Sequence, residues 1–332
     1  MLWLAWWLLS LPFRTWHERR DQRARASLGD GLEALHQGRY AQADKLLARA
    51  LEEPHAEAAA RVAVAHAAHA RGDAVRARSE LDGFGERHPA SRAIAAAELA
   101  LADGKPTEAL VALDAPAAQP LPPRGLALRA EALATSGQAA QAYELLGALR
   151  QQQALPEAAL SACETRWGAA SLREAEDSNA LANRWETLPK ALRTQPEIAA
   201  AYADRAAALG WDEAATKSLE RALETSWDDT LAERYGTLPT SDLAHRTAAC
   251  ERWLTRHPDS AALALALSRL WAAQQDWERA EDYARRAIER DPRGGGWEQL
   301  GHIRTASGDE PGARQAYANA LRASRGEPAL TS

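Results

Sequence analysis

The chain has 332 residues and a formal net charge of −6 at pH 7, with only two cysteines and two phenylalanines. The acidic balance gives no support to a nucleic-acid partner. Cys163 and Cys250 lie far apart and outside any Cys-x-x-Cys pattern, which argues against a disulfide framework or a thiolate zinc site. Ala, Leu, Arg and Glu dominate and β-branched residues are few, so the composition is that of a helical protein.

Residues 1–16 are predicted to form an apolar membrane-associated segment, and residues 17–26 a basic juxtamembrane stretch. The first thirteen residues carry no charge, and five arginines follow within twelve residues. The predicted membrane-proximal residues are Trp3, Trp6, Trp7, Arg14, Arg19 and Arg20. Tryptophan favours the membrane interface and arginine the cytoplasmic side, so the rest of the chain is expected in the cytoplasm at a bacterial inner membrane.

The apolar run is short for a membrane span. Thirteen helical residues reach about 20 Å, whereas the hydrocarbon core of a bilayer measures roughly 30 Å. A secretory signal would place its charges before the apolar run, and here the order is reversed. Three interpretations stay open: a shallow interfacial anchor, the end of a longer transmembrane helix that starts upstream of Met1, which we favour, and an apolar segment buried in a partner.

A short pattern recurs along the remaining chain and predicts its fold. The turn residues are Gly38, Gly72, Gly104, Gly137, Gly210, Gln275 and Gly308. The alanines five positions later are Ala43, Ala77, Ala109, Ala142, Ala215, Ala280 and Ala313. The apolar residues nine positions after each turn are Leu47, Leu81, Leu113, Leu146, Leu219, Ala284 and Tyr317. The offset of four places both series on one helical face, and a period of 32 to 34 residues is typical of tetratricopeptide (TPR) repeats.

The pattern predicts an all-α, TPR-like solenoid of about nine helical pairs in a right-handed superhelix over residues 27–326. We expect regular repeats over 27–153, a degenerate region over 154–196 and regular repeats again over 197–326. A glycine at six of the seven turns permits the left-handed conformation that ends the first helix, and a small alanine lets two helix axes approach closely.

Some local features of the repeats are predicted as well. Leu28, Leu32 and Leu35 are expected on the apolar face of the first helix, and Pro116 is expected to end a helix early. A turn is expected near Ala170-Ser171, with an insertion at residues 177–179, and a further turn near residues 240–242. The segment after Arg325 has too little apolar content to be expected to order itself.

Two stretches carry a family resemblance. The first repeat, Gly31-Leu-Glu-Ala-Leu-His-Gln-Gly-Arg-Tyr-Ala-Gln-Ala-Asp-Lys-Leu-Leu47, follows the apolar and arginine-rich segments. In the centre, Trp185-Glu-Thr-Leu-Pro189 leads to Arg193, Pro196 and Tyr202-Ala203, the pattern Trp-x-x-Leu-Pro-x-x-x-Arg-x-x-Pro. Together they resemble the proteobacterial HemY family of inner-membrane TPR proteins. The resemblance implies a non-catalytic, cytoplasm-facing scaffold for enzymes of late haem or protoporphyrin synthesis. That family usually begins with a hairpin of two transmembrane helices, and this sequence starts inside what resembles the second, so either its start is truncated or its anchoring differs.

No catalytic, metal or cofactor site is expected. The glycine cluster at residues 294–296 lies between predicted helices without a preceding strand, so it does not make a dinucleotide site. No haem-ligand motif occurs, and bound haem or porphyrin would depend on histidines such as His66 and His69, three residues apart on one helix. A solvated helix face explains these histidines equally well.

Tryptophan crowds the second half of the chain, and most of these side chains are expected to pack between repeats. Trp185 and Arg193 lie in the irregular centre, where the repeat demands neither, so these two and Tyr202 are the predicted partner-binding residues. Two classes of function stay open: the haem-enzyme scaffold, and a TPR adaptor for another inner-membrane process such as envelope or lipopolysaccharide assembly. The expected partners are other proteins and the membrane.

Overall fold

The computed structural model describes residues 22–239, 242–293 and 295–330, and the predicted membrane segment lies outside them. The chain divides into two compact units, with the boundary between Glu164 and Thr165. We call them unit 1 and unit 2 and describe each by itself. The described residues of both units form helices, turns and loops. The right-handed superhelix remains a prediction.

Unit 1 is a series of helices joined by short turns. Its helices are α1 (residues 22–36), α2 (Tyr40–Ala50), α3 (Glu57–Ala70), α4 (Ala74–Asp82), α5 (Pro89–Ala102), α6 (Pro106–Leu113), α7 (Pro123–Thr135), α8 (Ala139–Glu144) and α9 (Leu146–Gln151). Helix α10 (Glu157–Arg173) contains the boundary between the units. As predicted, the helix before Pro116 is short, since α6 ends at Leu113 and a single 3₁₀ turn follows at Pro116–Ala118.

Unit 2 continues in the same manner. Its helices are α11 (Ser178–Thr187), α12 (Pro196–Ala208), α13 (Asp212–Thr225), α14 (Asp229–Tyr235), α15 (Leu243–Arg256), α16 (Ala261–Ala273), α17 (Trp277–Arg290), α18 (Gly296–Ser307) and α19 (Glu310–Ser324). A 3₁₀ turn lies at Leu192–Thr194 between α11 and α12. Within the described residues, α3 packs with α4, α5 with α6, α12 with α13, α16 with α17 and α18 with α19. The predicted number of about nine pairs remains a prediction.

All seven predicted turn residues adopt the left-handed conformation. The glycines have φ between +70° at Gly104 and +88° at Gly308, and Gln275 has φ +64°. After three of these turns an aspartate accepts a hydrogen bond from a backbone N–H of the next helix, at 3.0–3.1 Å: Asp73, Asp276 and Asp309. The turn therefore ends one helix and the aspartate starts the next.

The left-handed conformation costs more free energy at Gln275 than at the six glycines, because the Cβ of Gln275 crowds the backbone at φ +64°. We expect Gln275→Gly to raise the free energy of unfolding by about 0.5–1 kcal/mol. Gly308→Ala, at φ +88°, should lower it by about 1 kcal/mol. Urea unfolding followed by circular dichroism measures both, and a loss of stability in Gln275→Gly would contradict this account of the turn.

The seven repeated alanines are all buried, as predicted. Their exposed fractions are 0–4% for Ala43, Ala77, Ala109, Ala142, Ala215, Ala280 and Ala313. The later apolar position is buried at most repeats, for example at Leu47 and Leu219. Tyr317 differs, with 37% of its surface exposed. Its ring lies against Gly301, where a Cβ would come within 2.6 Å of the ring.

Two predictions about the repeats are wrong. Leu32 is 44% exposed, and the buried face of α1 consists of Ala24, Gly31 and Ala34. The reason is a close approach of α1 to α2: a Cβ on Gly31 would lie 2.7 Å from the Leu47 side chain. Small residues therefore take the contact where leucine was expected, while Leu28 and Leu35 are half-buried beside it.

The turn predicted near Ala170-Ser171 does not exist, because α10 continues to Arg173. The Ser171 hydroxyl donates to the Gly168 carbonyl at 2.8 Å, so this serine is satisfied inside a helix. Asp177, which was expected in an insertion, instead accepts from the Ala180 N–H at 2.8 Å and caps α11. Of the turn predicted at residues 240–242, Asp242 caps α15 and residues 240–241 lie outside the described residues.

Contrary to expectation, residues 326–330 make specific contacts with α19. The Leu330 N–H donates to Asn319 Oδ1 at 2.7 Å, and Arg322 Nε donates to the Pro328 carbonyl at 2.7 Å. Polar contacts to α19 thus hold a segment that has little apolar content.

Candidate partner-binding site

The predicted partner-binding residues lie in the last turn of α11, in the connecting loop and in α12. The helix ends at Thr187, and Pro189 follows, which has no N–H to donate and disfavours helical geometry in the residue before it. Leu188 is buried and holds the chain against the core. After the 3₁₀ turn, Pro196 takes the first position of α12. The sequence therefore builds a loop between two prolines, residues 188–195.

The structure brings Trp185, Arg193 and Tyr202 together. The Trp185 and Tyr202 rings stack with centroids 4.0 Å apart and planes at 29°. The Arg193 guanidinium carbon lies 5.7 Å from the centre of the Trp185 ring, within the range of a cation–π contact. Tyr202 is buried, and burial raises the pKa of its hydroxyl. Trp185 and Arg193 are half-buried, so part of each remains accessible.

Arg193 has a structural role that the sequence did not reveal. Its Nε donates to the Leu188 carbonyl at 2.9 Å, and its Nη2 donates to the Glu186 carbonyl at 2.8 Å. These carbonyls end a helix and lack partners within it. Arg193 therefore closes the loop across the C-terminus of α11. We call this arrangement, Trp185 to Leu188 with Arg193, the first arginine clamp. Its use by a partner remains a prediction.

A second arginine clamp occurs 50 residues later, and sequence analysis missed it. Tyr235-Gly-Thr-Leu-Pro239 repeats the pattern of Trp185-Glu-Thr-Leu-Pro189, and Arg246 follows. The Arg246 guanidinium carbon lies 5.0 Å from the centre of the Tyr235 ring. Arg246 also donates to the Leu238 carbonyl, as Arg193 does to the Leu188 carbonyl. The recurring aromatic-x-Thr-Leu-Pro pattern was the signal that could have found it.

Arg246 is more deeply placed than Arg193, since its exposed fraction is 0%. It donates to the Tyr235 and Pro239 carbonyls at 3.2 and 3.1 Å, and to Thr216 Oγ1 at 2.6 Å. These hydrogen-bond partners are neutral oxygens, and the charges of Glu220 and Asp212 offset the burial of the guanidinium only in part. Accordingly, burial lowers the pKa of Arg246. The second clamp is therefore a core element of unit 2.

Aromatic and polar contacts surround the second clamp. The Tyr235 hydroxyl donates to Glu220 Oε1 at 2.6 Å, and burial with this hydrogen bond raises the pKa of Tyr235. The Tyr235 and Trp253 rings meet edge to face at 5.0 Å. Cys250 is buried, which raises the pKa of its thiol to about 12. This agrees with an unreactive structural cysteine.

Charged side chains link the first helices of successive pairs in each unit. In unit 1, Glu98 on α5 pairs with His66 on α3 at 3.2 Å and with Arg124 on α7 at 2.8 Å. In unit 2, Glu233 on α14 pairs with Arg269 on α16 at 3.2 Å. His69 likewise faces Asp103 at 3.5 Å. His66 and His69 thus pair with carboxylates of the next helix pair and do not lie on an unpaired solvated face.

The Glu98 pairs should give unit 1 a measurable pH dependence. The hydrogen bond from His66, and then Arg124, lowers the pKa of Glu98 against the opposing effect of burial. A lowered pKa contributes stability above the ordinary value of 4.5, and that stability is lost as pH falls through the lowered value. We expect Glu98→Gln to remove this contribution, less than about 1 kcal/mol. Urea unfolding at pH 6 and pH 3 tests it, and an unchanged difference between the two pH values would contradict it.

Most tryptophans of unit 2 pack between helices, as expected. Trp253 is buried, and Trp271, Trp277 and Trp297 pack beside Ala280, Ala284, Leu300, Ile303 and Ala316. Trp211 is 36% exposed at the start of α13. The Trp227 ring stacks on the His257 ring with centroids 4.0 Å apart.

The predicted membrane-proximal residues, Trp3, Trp6, Trp7, Arg14, Arg19 and Arg20, lie outside the described residues. Within the described ranges, no helix has both the length and the apolar character needed to cross a membrane. The same ranges contain no group of three or more His, Cys, Asp or Glu side chains that could hold a metal ion.

Helix pairs with a left-handed turn, a buried alanine five residues later and a period near 33 residues define a repeat protein of the TPR class. Comparison with known proteins shows which family of TPR proteins this chain resembles. The model of a family described as HemY protein N-terminus matches residues 1–72. The TPR repeat-containing protein PA0015 of Pseudomonas aeruginosa is 39% identical over 72 residues, which cover 21% of this chain and 69% of that protein. The chain belongs to the HemY family.

Similar solved structures are TPR-like in fold but distant. The Cut9–Hcn1 structure is 16% identical with a TM-score of 0.33; the match covers 88% of this chain and 64% of that one, less than two thirds of its length. Yeast Tom70 is 12% identical with a TM-score of 0.35, over 91% of this chain and 69% of that one. The TPR domain of P58(IPK) is 15% identical with a TM-score of 0.28, over 91% and 80% of the two chains.

Proposed function

We propose that this protein is a non-catalytic scaffold, anchored in the bacterial inner membrane with its repeats in the cytoplasm, that binds and organises enzymes of late haem or protoporphyrin synthesis. The observation that carries the proposal is the HemY match over residues 1–72, which spans the apolar segment, the arginine-rich stretch and the first repeat. The TPR fold supports it, because rows of first-helix side chains in a solenoid form an extended surface suited to protein partners.

The first arginine clamp is the part of this surface that we assign to partner capture. Its accessible groups are the half-buried Trp185 and Arg193 and the exposed Pro189 and Lys190. Tryptophan and arginine contribute much of the binding energy at protein interfaces. Because Arg193 already holds the loop, the clamp presents Trp185 and Lys190 in a fixed arrangement and lowers the entropic cost of binding. Trp185 thus serves as the anchor and Arg193 positions it.

Deletion of the gene tests the haem assignment. If enzymes are separated when the scaffold is lost, porphyrin intermediates should accumulate several-fold, while each purified enzyme keeps its activity. Porphyrins are measured by fluorescence of cell extracts, and a plasmid copy of the gene should restore the normal level. Normal porphyrin levels in the deletion strain would reject the assignment and leave a TPR adaptor for another inner-membrane process, such as envelope or lipopolysaccharide assembly.

Site-specific cross-linking tests the proposed surface. A photoreactive amino acid in place of Lys190, exposed on the first clamp, should capture a haem-synthesis enzyme in membrane preparations. The same group in place of Lys217, equally exposed but on α13, is the matched control. Ferrochelatase and porphyrinogen oxidase are identified by mass spectrometry. Equal yields at the two positions would reject the first clamp as the capture site.

The proposed topology has its own test. Protease added outside intact spheroplasts should leave the repeats uncut, and the same protease should digest them after the membrane is opened. Digestion from outside would show that the repeats face the periplasm.

A further inference from the structure

Side chains of the last helix, α19, contact the main chain of the segment that follows it. We call residues 326–330 the tail segment. The Leu330 N–H donates to Asn319 Oδ1 at 2.7 Å, and Asn319 Nδ2 donates to the Leu330 carbonyl at 3.4 Å. One side-chain amide thus pairs with both polar groups of one backbone residue. Such pairing reads an extended backbone and is independent of the side chain that it carries.

Two more contacts extend this recognition. Arg322 Nε donates to the Pro328 carbonyl at 2.7 Å, and Arg322 Nη1 lies 3.3 Å from the Glu327 carboxylate. Pro328 and Leu330 are two residues apart, and main-chain groups of both face α19. The edge of α19 that contains Asn319 and Arg322 therefore contacts one acidic side chain and the main chain of the residues that follow it.

Comparison of the repeats shows that Asn319 is unusual. It lies eleven residues after the turn at Gly308. The same position holds an exposed arginine in three other second helices, at Arg49, Arg221 and Arg286, and a half-buried alanine, Ala148, in α9. This position therefore faces outward from the helix pair. Asn319, by contrast, is only 1% exposed, and its described partner is the tail segment. The outward face of α19 thus differs in chemistry from that of the other repeats and has an occupant.

We propose that Asn319 and Arg322 form a peptide-binding site that the tail segment occupies in cis, and that a segment of a partner protein displaces it by placing an acidic residue three positions before the residue whose main chain pairs with Asn319. A tethered tail competes at an effective concentration in the millimolar range. A free peptide at a lower concentration therefore displaces the tail segment poorly. A partner that is already bound elsewhere on the repeats has a similar effective concentration at the site, so the tail segment makes the site selective for such partners.

The test uses the full chain and a fluorescent peptide with the sequence of residues 327–332, Glu-Pro-Ala-Leu-Thr-Ser. Leu330→Pro removes the N–H that donates to Asn319 and should release the tail. Leu330→Ala keeps this N–H and is the matched control. From the usual contribution of one hydrogen bond, we expect the released chain to bind the peptide about 3 to 10 times more tightly than the unchanged chain or the control.

Substitutions of the site itself complete the test. In the Leu330→Pro chain, Asn319→Ala should weaken peptide binding about tenfold, and Arg322→Ala should weaken it separately. Circular dichroism confirms that each variant folds. A peptide with proline in place of its leucine should bind about 3 to 10 times more weakly. Equal affinities for the unchanged and released chains, or binding that survives both substitutions, would overturn the proposal. The haem assignment is not at stake in this measurement.

Discussion

Replacing Arg246 with methionine is expected to lower the free energy of unfolding of unit 2 by about 2–4 kcal/mol. Methionine keeps most of the volume but leaves the Tyr235, Leu238 and Pro239 carbonyls without their described donor. A buried unsatisfied carbonyl costs about 1–3 kcal/mol, and three are affected. Relief of the cost of burying the guanidinium charge offsets part of the loss, which is why the expected value is below the sum.

The first clamp supplies the control for this experiment. Arg193→Met removes donors from only two carbonyls, Leu188 and Glu186, and this loop is accessible to water. It should therefore cost no more than about 1–2 kcal/mol. Urea unfolding followed by tryptophan fluorescence measures both variants, since Trp253 lies beside the second clamp and Trp185 belongs to the first. Equal losses in the two variants would show that burial does not set the difference between the clamps.

Replacing Ala43 with leucine is the second large effect, with an expected loss of about 1–3 kcal/mol in unit 1. Ala43 is 0% exposed, and it packs with Ala34, Leu47, Ala63 and Val64. Three additional heavy atoms cannot enter this cluster unless the helices move apart. Ala48→Leu is a matched control, because Ala48 lies on the same helix but is exposed. It should change stability by less than about 0.5 kcal/mol.

Thermal unfolding of the two alanine variants gives the measurement. A loss in Ala43→Leu with no loss in Ala48→Leu would support the close helix contact. Similar melting temperatures for both variants would show that the contact at Ala43 can expand, and the steric explanation for the repeated alanine would then fail.

The periodic features of the fold were predictable because each follows from a local rule. Gly at a left-handed turn, Ala at a close helix contact and Asp at a helix start recur at fixed offsets, so each repeat reinforces the prediction. Even Gln275, which departs from glycine, was identified as a turn residue from its offset and has φ +64°. The prediction that Leu32 is buried was wrong because its exposure depends on a contact between two helices. Gly31 sets how closely α2 approaches α1, and no pattern in the neighbouring sequence predicts this distance.

The candidate site was predictable only in part. The sequence marked Trp185, Arg193 and Tyr202 as departures from the repeat, and the structure brings the three together. The sequence did not show that Arg193 donates to two loop carbonyls. A hydrogen bond to a main-chain carbonyl does not require any particular residue type at the acceptor, so the sequence cannot identify the acceptor. For the same reason Arg246 looked like an ordinary helix arginine.

The sequence by itself determined the class of fold, the turn positions and the buried alanines, since all of these repeat with a fixed period. Tertiary structure decided which arginines are buried, where α10 ends and what covers Asn319. These features depend on contacts between residues distant in the chain, such as Arg246 with Thr216 or Asn319 with Leu330. Main-chain oxygens and N–H groups are the same at every residue, so only the folded chain shows which of them a side chain reaches.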